Sequence, residues 1–388
     1  MKRVYLDHTA TTPLDPSVLE AMKPYFSEKF GNASSIHRFG QEARAALDES
    51  RETIATLIGA HGSEIFFVSS GTEADNSALK GVAWKVREEA GKDHIITSKA
   101  EHHAVLESCE FLRQIGFGVT YLDVDRYGMV DPKSVRRAIT RKTCLISIMH
   151  ANNEVGTLNP ILEIGAIARE HRVLFHSDGV QSFGKVGVNV DGLGVDLLSL
   201  SAHKIYGPKG IGALYVRKGV KMERLIHGGG QERGRRAGTE NVPLAVGFAK
   251  AAELIDGGRE SENRRLGELK SRLRAMLQER FPFIVYNGDP TDSLPHILNI
   301  SFDSNKIEMD GEALLFNLDL AGIAVTSGSA CTSGSMEPSH VLLAMGRDPK
   351  TAKATIRFSL GRLTIQEDIR YTVEKLEEIV GRIGKRAE

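Results

Sequence analysis

The chain has few cysteines, no net charge and no long hydrophobic run, and each of these absences excludes a class of protein. Three cysteines in 388 residues are too few, and odd in number, for a disulfide framework, so a reducing compartment is expected. The 50 basic residues balance the 50 acidic ones, so no overall field attracts nucleic acid or a membrane. No apolar stretch approaches the length of a membrane span, and the first residues lack the apolar run of a signal peptide. These features favour a cytoplasmic protein with no membrane partner and no direct nucleic-acid partner.

The length and the hydrophobic pattern predict an α/β protein with two domains. A chain of 388 residues, 41% of them hydrophobic, exceeds the size at which a single core usually suffices. Short apolar runs alternate with helical stretches, which is typical of a largely parallel sheet covered by helices on both faces. The predicted strands of this sheet are 65–68, 94–97, 119–122, 144–149, 172–176, 195–200 and 211–216.

A change in composition predicts where the second unit begins. After Gly257 and Gly258 the chain becomes highly charged, and residues 259–280 are expected to form a helix that bridges the two units. The last helix is predicted to open with a capping box formed by Thr364 and Glu367. Shorter strands are predicted between these helices, at 283–286, 297–302, 323–326 and 354–359.

Two residues that follow apolar strands, Lys204 and Asp178, carry most of the functional information. A lysine behind a strand can be held out of water, with its amine free to form a Schiff base. An aspartate at the end of another strand can meet a pyridinium nitrogen. Together they match the aldehyde carbon and the ring nitrogen of pyridoxal 5'-phosphate. Either residue alone is more often an exposed surface residue without a function.

The start of a helix near residue 71 supports this interpretation. An apolar strand at 65–68 ends in Ser-Ser-Gly-Thr, and a helix is predicted to follow. The free amide groups of Gly71 and Thr72, with the Thr72 hydroxyl, form an anion site. The helix dipole adds about 0.3–1 kcal/mol for a phosphate there. A dinucleotide-binding loop is the competing interpretation, but the chain has no Gly-x-Gly-x-x-Gly.

A series of motifs runs in order along nearly the whole chain. They lie at residues 5–13, 31–32, 37–40, 101–102, 152–156, 228–234, 327–333 and 356–362. The most specific is Ser327-Gly-Ser-Ala-Cys-Thr-Ser333. With these motifs the chain resembles the group I cysteine desulfurases, pyridoxal-phosphate enzymes of the class V aminotransferase family that supply sulfur for iron–sulfur clusters.

The resemblance implies the fold type I architecture of pyridoxal-phosphate transferases. A large cofactor-binding domain, residues 14–258, would contain a mostly parallel seven-stranded sheet. A smaller α+β domain would combine residues 1–13 with 259–388 and carry a mobile cysteine loop at about 327–336. The resemblance also implies a homodimer.

The resemblance assigns roles around the cofactor ring. Lys204 would hold the cofactor and act as the base at the substrate α-carbon, and Asp178 would keep the ring nitrogen protonated. His102 would stack on the ring and pass protons. Gln181 and Asn153 suit the phenolic oxygen, although a lone amide side chain is as often structural. His102 and its histidine neighbour are not a metal pair, because adjacent helical residues point about 100° apart.

Other residues are assigned to the phosphate. Gly71, Thr72, Ser201 and His203 would bind it, and Thr239 would reach the phosphate of the neighbouring subunit. The arginines near Thr239, at 233, 235 and 236, also allow an RNA-binding interpretation. One short basic patch on a neutral protein is weak evidence for that.

Arg357 and Cys331 set the substrate and the reaction. Arg357, on a predicted strand, would hold the substrate α-carboxylate together with Asn153. Cys109 and Cys144 have apolar neighbours and resemble small buried hydrophobes. Cys331 instead lies among small polar residues, which exposes its thiol.

The reaction that the resemblance implies converts L-cysteine to L-alanine and leaves a persulfide on Cys331. The sulfur would pass to an iron–sulfur cluster scaffold protein or to a tRNA-thiolating enzyme. No metal is expected in the free enzyme, and whether Cys331 shares an iron–sulfur cluster with a scaffold is left open.

Two alternatives remain at this stage. A selenocysteine lyase, or another class V pyridoxal-phosphate lyase, would keep the Lys204 site but would not need Cys331. A non-catalytic scaffold or RNA-associated protein would form no Schiff base, and the intact lysine counts against it.

Overall fold

The computed structural model describes residues 2–328 and 337–386. The strands are β1 Val4–Tyr5, β2 Ile65–Val68, β3 His94–Ser98, β4 Gly118–Leu122, β5 Thr143–Ser147, β6 Leu174–Asp178, β7 Leu197–Ser201, β8 Gly212–Val216, β9 Ile284–Asn287, β10 Ile297–Phe302, β11 Ile307–Glu308, β12 Ile323–Ala324, β13 Thr355–Ser359 and β14 Lys385–Arg386. The helices are α1 Pro16–Met22, α2 Pro24–Ser27, α3 Arg38–Leu57, α4 Gly71–Ala90, α5 His103–Gln114, α6 Pro132–Ala138, α7 Ile161–His171, α8 Val190–Leu193, α9 Val242–Arg280, α10 Gly311–Leu320, α11 His340–Ala344, α12 Pro349–Lys353 and α13 Gln366–Ile383.

A seven-stranded sheet lies at the centre of the molecule. Its strand order is β2-β8-β7-β6-β5-β3-β4. Of these strands β8 runs antiparallel to both of its neighbours, and the other adjacent pairs are parallel. Each strand predicted for this sheet overlaps an observed one, because runs of buried apolar residues are a strong strand signal.

Helices cover both faces of the sheet. Along β2, Ile65 and Phe67 belong to one hydrophobic core, and Phe66 and Val68 belong to another. The first core includes apolar residues of α3, α7 and the first half of α9, and the second includes those of α4 and α5. This alternation follows from the two-residue period of a strand, and it leaves the carboxyl ends of the parallel strands as the open edge.

A third core forms around a smaller antiparallel sheet. Strand β10 pairs with β13 on one side and β9 on the other. Apolar residues of the second half of α9, of α10 and of α13 cover this sheet. The start of the chain joins the same core, since β1 pairs in parallel with β12 and Leu6 is fully buried there.

Two local predictions differ from the structure. Residues 259–280 are helical as predicted, but the helix does not begin at 259: it is the second half of α9, which continues through Gly257 and Gly258. Each glycine costs a helix about 1 kcal/mol, but Ile255 and Leu266 bury their side chains in separate cores on either side of the pair and hold the helix together.

The predicted capping box of α13 is also wrong. The helix begins one residue later than the box requires, at Gln366. The carboxylate of Asp368 accepts a hydrogen bond from the amide of Ile365 (3.1 Å), while the Thr364 hydroxyl accepts one from Gly361 (3.0 Å). Among the helices of residues 2–328 and 337–386, none combines the length and the apolar character needed to cross a membrane.

Candidate active site

A cavity of about 360 Å³ opens at the carboxyl ends of β6 and β7. Polar groups from several elements converge on it, as is usual at the open edge of a parallel sheet. The predicted site residues that line it are Gly71, Thr72, His102, Asn153, Asp178, Gln181, Ser201, His203, Lys204 and Arg357. A larger hollow of about 630 Å³ lies beside β11 and α12 and contains none of these residues.

Lys204 enters the cavity from a short 3₁₀ turn after β7. Its amine donates hydrogen bonds to the carbonyl oxygens of Thr9 (2.5 Å) and Ala10 (2.9 Å). Burial, and then the charge of Arg357, lower the pKa of Lys204 to about 8, partly opposed by Asp178 and Asp7. The amine is therefore available in its neutral form much closer to neutral pH than that of an exposed lysine.

Asp178 is the last residue of β6 and is 6% exposed. One carboxylate oxygen accepts a hydrogen bond from the amide of Val180 (2.9 Å). Burial raises the pKa of Asp178, while the charges of His102 and Lys204 lower it. A buried carboxylate is stabilised most by a cation next to it, so this side chain suits a pyridinium nitrogen.

His102 lies at the amino end of α5, where its Nδ1 accepts a hydrogen bond from the amide of Ala104 (3.1 Å). This bond places the proton of the neutral ring on Nε2. Burial lowers the pKa of His102, with Asp178 opposing. The next residue, His103, packs its ring on that of His340 at 4.6 Å. Within the described residues no group of three or more acidic, histidine or cysteine side chains could hold a metal ion.

The phosphate side of the cavity is formed by the start of α4. The Ser70 hydroxyl caps this helix by accepting a hydrogen bond from the amide of Glu73 (3.1 Å), which leaves the preceding amides free for an anion. A Cβ at Gly71 would lie 2.7 Å from a methyl group of Val180, so a larger residue there would require Val180 to move. The hydroxyl of Ser201 is buried without a hydrogen-bond partner in the part of the chain that the structure describes. These residues fit the phosphate of pyridoxal 5'-phosphate.

Arg357 lies in the middle of β13 and is 4% exposed. Its guanidinium donates hydrogen bonds to Asp7 (2.9 Å) and to the carbonyl of Asn153 (2.9 Å). Its Nε is buried and has no partner among the described residues, so a donor remains for a substrate carboxylate. Arg362 instead pairs with Asp15 and lies over the Tyr206 ring, outside the cavity.

One predicted residue lies outside this cavity, and another lies outside the described residues. Thr239 lines a separate hollow together with Arg236 and Glu240. Cys331 lies outside the described residues, but Thr326 and Gly328, which precede it, line the cavity.

Sequence reasoning missed several groups. The carbonyls of Thr9 and Ala10 hold Lys204, and backbone groups leave no signal in a sequence. Asp75 lines the cavity, and its buried Oδ1 makes no hydrogen bond among the described residues, although it lies 3.6 Å from Nε2 of His176. Glu101 is fully buried, which raises its pKa to about 8. Both carboxyl groups follow the end of a strand in the chain, Asp75 after β2 and Glu101 after β3. That position could have marked them as candidates for the site.

Comparisons with known proteins agree with this geometry. The pattern of the family described as aminotransferase class-V matches residues 4–372. The chain is 53% identical over 384 residues to "Cysteine desulfurase IscS" of Dictyoglomus turgidum, covering 99% of this chain and 96% of that protein. It is 50% identical over 382 residues to "Cysteine desulfurase IscS" of Methanosarcina thermophila, covering 98% and 93%.

Solved structures show the same fold. A structure described as "NIFS-LIKE PROTEIN" superposes with a TM-score of 0.91 at 40% identity, over 98% of this chain and all of that one (100%). Another, "SspA in complex with cysteine", has a TM-score of 0.82 at 40% identity and covers 93% of this chain and 100% of that one.

The chain belongs to the class-V aminotransferase family. Its architecture is that of the fold type I enzymes, and its cofactor is pyridoxal 5'-phosphate. The expectations for fold and cofactor are thereby confirmed.

Proposed function

We propose that this enzyme is a cysteine desulfurase, which converts L-cysteine to L-alanine and leaves the sulfur as a persulfide on Cys331. The observation that carries the proposal is the meeting of Lys204, Asp178 and Arg357 in one cavity whose rim includes Gly328, three residues before Cys331. The cysteine desulfurases that share about half of its residues support it.

Substrate binding would use charge and shape. Arg357 would hold the α-carboxylate through its planar guanidinium, with Asn153 alongside. Bound pyridoxal phosphate supplies an electron sink for the substrate α-carbon. Lys204 would then remove the proton at that carbon, and the lowered pKa of its amine, about 8, makes the neutral base available. Asp178 would hold a proton on the ring nitrogen, and His102 would cover the ring.

Sulfur transfer would use Cys331. Its thiolate forms a bond to the sulfur of bound cysteine, and the bond between that sulfur and the β-carbon breaks. The electron pair stays with the β-carbon, which takes up a proton and becomes the methyl group of alanine. The products are L-alanine and a persulfide on Cys331, so atoms and electrons balance without an outside oxidant.

We extend the proposal to the setting of the enzyme. It would work as a cytoplasmic homodimer in which Thr239 reaches the phosphate of the neighbouring subunit. Residues 14–258 would form the cofactor-binding domain, and residues 1–13 with 259–388 would form the smaller domain. The sulfur would pass to an iron–sulfur cluster scaffold or another acceptor. The arginines near Thr239 make contacts within the protein, including Arg236 with Glu73 (2.9 Å) and Arg233 with the carbonyl of Gly62 (3.0 Å), which disfavours an RNA-binding role.

The test is alanine release from L-cysteine with excess dithiol. Wild type and Cys109→Ala, which removes a buried thiol, should both form alanine. Cys331→Ser should be slower by about a hundredfold or more, because the nucleophile is lost. Equal rates for Cys331→Ser and wild type would overturn the persulfide mechanism and favour the lyase alternative.

A further inference from the structure

The turn that carries Lys204 is held by the first residues of the chain. This turn, Ala202–Lys204, directly follows β7. The amine of Lys204 contacts the N-terminal segment through the carbonyls of Thr9 and Ala10. The backbone on either side of Lys204 contacts the same segment at a third residue, Thr12.

Thr12 is a buried threonine, 2% exposed, whose hydroxyl makes two hydrogen bonds of opposite kind. It donates to the carbonyl of His203, the residue before Lys204 (2.8 Å). It accepts from the amide of Tyr206, two residues after Lys204 (2.8 Å). The Thr12 amide donates to the same His203 carbonyl (3.0 Å). One side chain therefore holds the backbone on both sides of Lys204.

The backbone of Tyr206 needs this support. Its φ of 65° is left-handed, which costs free energy in a residue with a bulky side chain and persists only where surrounding contacts fix it. Besides the bond from its amide to Thr12, its carbonyl accepts from the amide of Asp15 (3.0 Å). Its hydroxyl accepts from the amide of Arg362 (2.7 Å). Loss of the Thr12 bond would let the chain after Lys204 relax.

We propose that Thr12 is a positioning residue, whose hydroxyl fixes the backbone from 203 to 206 and thereby the direction in which the Lys204 amine enters the cavity. The inference rests on the proposed function, in which Lys204 is the base at the substrate α-carbon. A base must lie within hydrogen-bond reach of the proton that it removes, and a displacement of about 1 Å can slow a reaction about a hundredfold. Thr12 itself lines a different hollow, beside Leu363, so it acts through Lys204.

The test compares Thr12→Val, which keeps the shape of the side chain and removes both bonds, with Thr12→Ser, which keeps the hydroxyl. The matched control is Thr351→Val. Thr351 is 3% exposed, and its hydroxyl likewise accepts from one amide, that of Ser304 (3.0 Å), and donates to one oxygen, the Ser304 hydroxyl (3.1 Å). It lies in α12, beside the larger hollow.

Two measurements report on Lys204 and need no sulfur transfer. The first is the exchange of the α-hydrogen of L-alanine with deuterium from the solvent, catalysed by the enzyme loaded with pyridoxal 5'-phosphate and followed by NMR. This exchange requires the base at the α-carbon. The second is the pH profile of Lys204 acetylation by acetic anhydride in the cofactor-free protein, followed by mass spectrometry.

Thr12→Val should lower the maximal exchange rate about tenfold, because the amine no longer points at the proton that it must remove. The L-alanine concentration at half-maximal rate should stay within about twofold, since Arg357 is held by Asp7 and the Asn153 carbonyl. Burial is the largest cause of the lowered pKa of Lys204. An amine displaced toward solvent should therefore reach half-maximal acetylation about half a pH unit higher or more.

The other two variants should keep the amine in place. Thr12→Ser should retain about half or more of the wild-type exchange rate, because serine offers the same hydroxyl. Thr351→Val should match the wild type in both measurements. The titratable and charged groups that interact with the Lys204 amine are Arg357, Asp178, Asp7, His102 and His203. All of them are present in every variant, so a shifted acetylation profile reports a displaced amine.

The inference is overturned if Thr12→Val matches Thr351→Val in both measurements, or if Thr12→Ser loses as much as Thr12→Val. Thr12→Ala, which leaves room for water at the Tyr206 amide, takes the place of Thr12→Val if that variant does not fold, and the same outcomes then decide. A wild-type enzyme that exchanges no α-hydrogen would instead overturn the role of Lys204 in the proposed function, and the acetylation profiles would still report on Thr12.

Discussion

Two basic side chains, Lys204 and Arg357, line the cavity. Burial, and then the charge of the Arg357 guanidinium, lower the pKa of Lys204 to about 8. The Asp178 carboxyl group opposes this shift without cancelling it. The fraction of neutral amine therefore rises as pH increases through about 8.

We predict that in the cofactor-free protein acetylation of Lys204 is half-maximal near pH 8. Exposed lysines, which titrate near about 10.4, should react at half their maximal rate only above pH 10. Limiting acetic anhydride and mass spectrometry of the Lys204 peptide would measure this, with the peptides of exposed lysines as the internal reference. A profile for Lys204 identical to that of the exposed lysines would contradict the prediction.

Substitutions of two arginines should separate a binding role from a structural one. Arg357→Lys replaces a planar fork by a point charge, and it should raise KM for L-cysteine about tenfold. Arg362→Lys is the matched control, since Arg362 pairs with Asp15 outside the cavity, and it should leave KM within about twofold. Steady-state kinetics would check this. A larger effect from Arg362→Lys would reverse the assignment.

At the scale of elements, α9 contains glycines of two kinds. A Cβ at Gly257 would meet nothing within 4 Å, whereas one at Gly247 would lie 2.5 Å from the sulfur of Met22. Both glycines are in the same helix, so helix propensity affects them equally.

We predict that Gly257→Ala stabilises the protein by about 0.5–1 kcal/mol, because alanine is the better helix former. Gly247→Ala should destabilise it, because the new methyl group must displace Met22 in the core. Denaturant unfolding would give both free energies. Destabilisation by Gly257→Ala would mean that the helix needs flexibility at that position.

The sequence predicted the elements of the central sheet well, since strands such as β7 are runs of apolar residues bounded by polar ones. It failed where one residue decides the outcome: Asp368, not Glu367, caps α13. Gly257 and Gly258 predicted a helix start because the sequence near them does not show the two cores that hold α9 on either side.

The candidate site was predicted unevenly. Residues after strand ends, such as Lys204 and Asp178, could be placed at one edge because parallel strands align their carboxyl ends. The carbonyl of Thr9, 195 residues from Lys204, could not, because any residue offers a carbonyl. The bond from the Tyr206 amide to the Thr12 hydroxyl likewise joins residues that are 194 positions apart.

At the scale of the whole molecule, Thr239 lies away from the cavity of its own chain. If it serves the neighbouring subunit, two defective chains can complement each other. A mixed dimer of Lys204→Ala and Thr239→Val chains would contain one site with both residues intact.

We predict that refolding equal amounts of these two variants together restores about a quarter of wild-type activity at limiting cofactor. Half of the dimers would be mixed, and each would contain one intact site out of two. Alanine release before and after mixing measures the effect. No gain on mixing would show that Thr239 acts within its own chain or not at all.

The pairing of β1 with β12 also bears on how the protein is made. Residues 4–5 have no strand partner until residues 323–324 have left the ribosome, and Asp7 waits still longer for Arg357. Synthesis at about 5–20 residues per second imposes a delay of many seconds, during which the first apolar residues remain uncovered. The amine of Lys204 also lacks its acceptors, the carbonyls of Thr9 and Ala10, until the first residues dock. The active site is therefore among the last parts of the nascent chain to form.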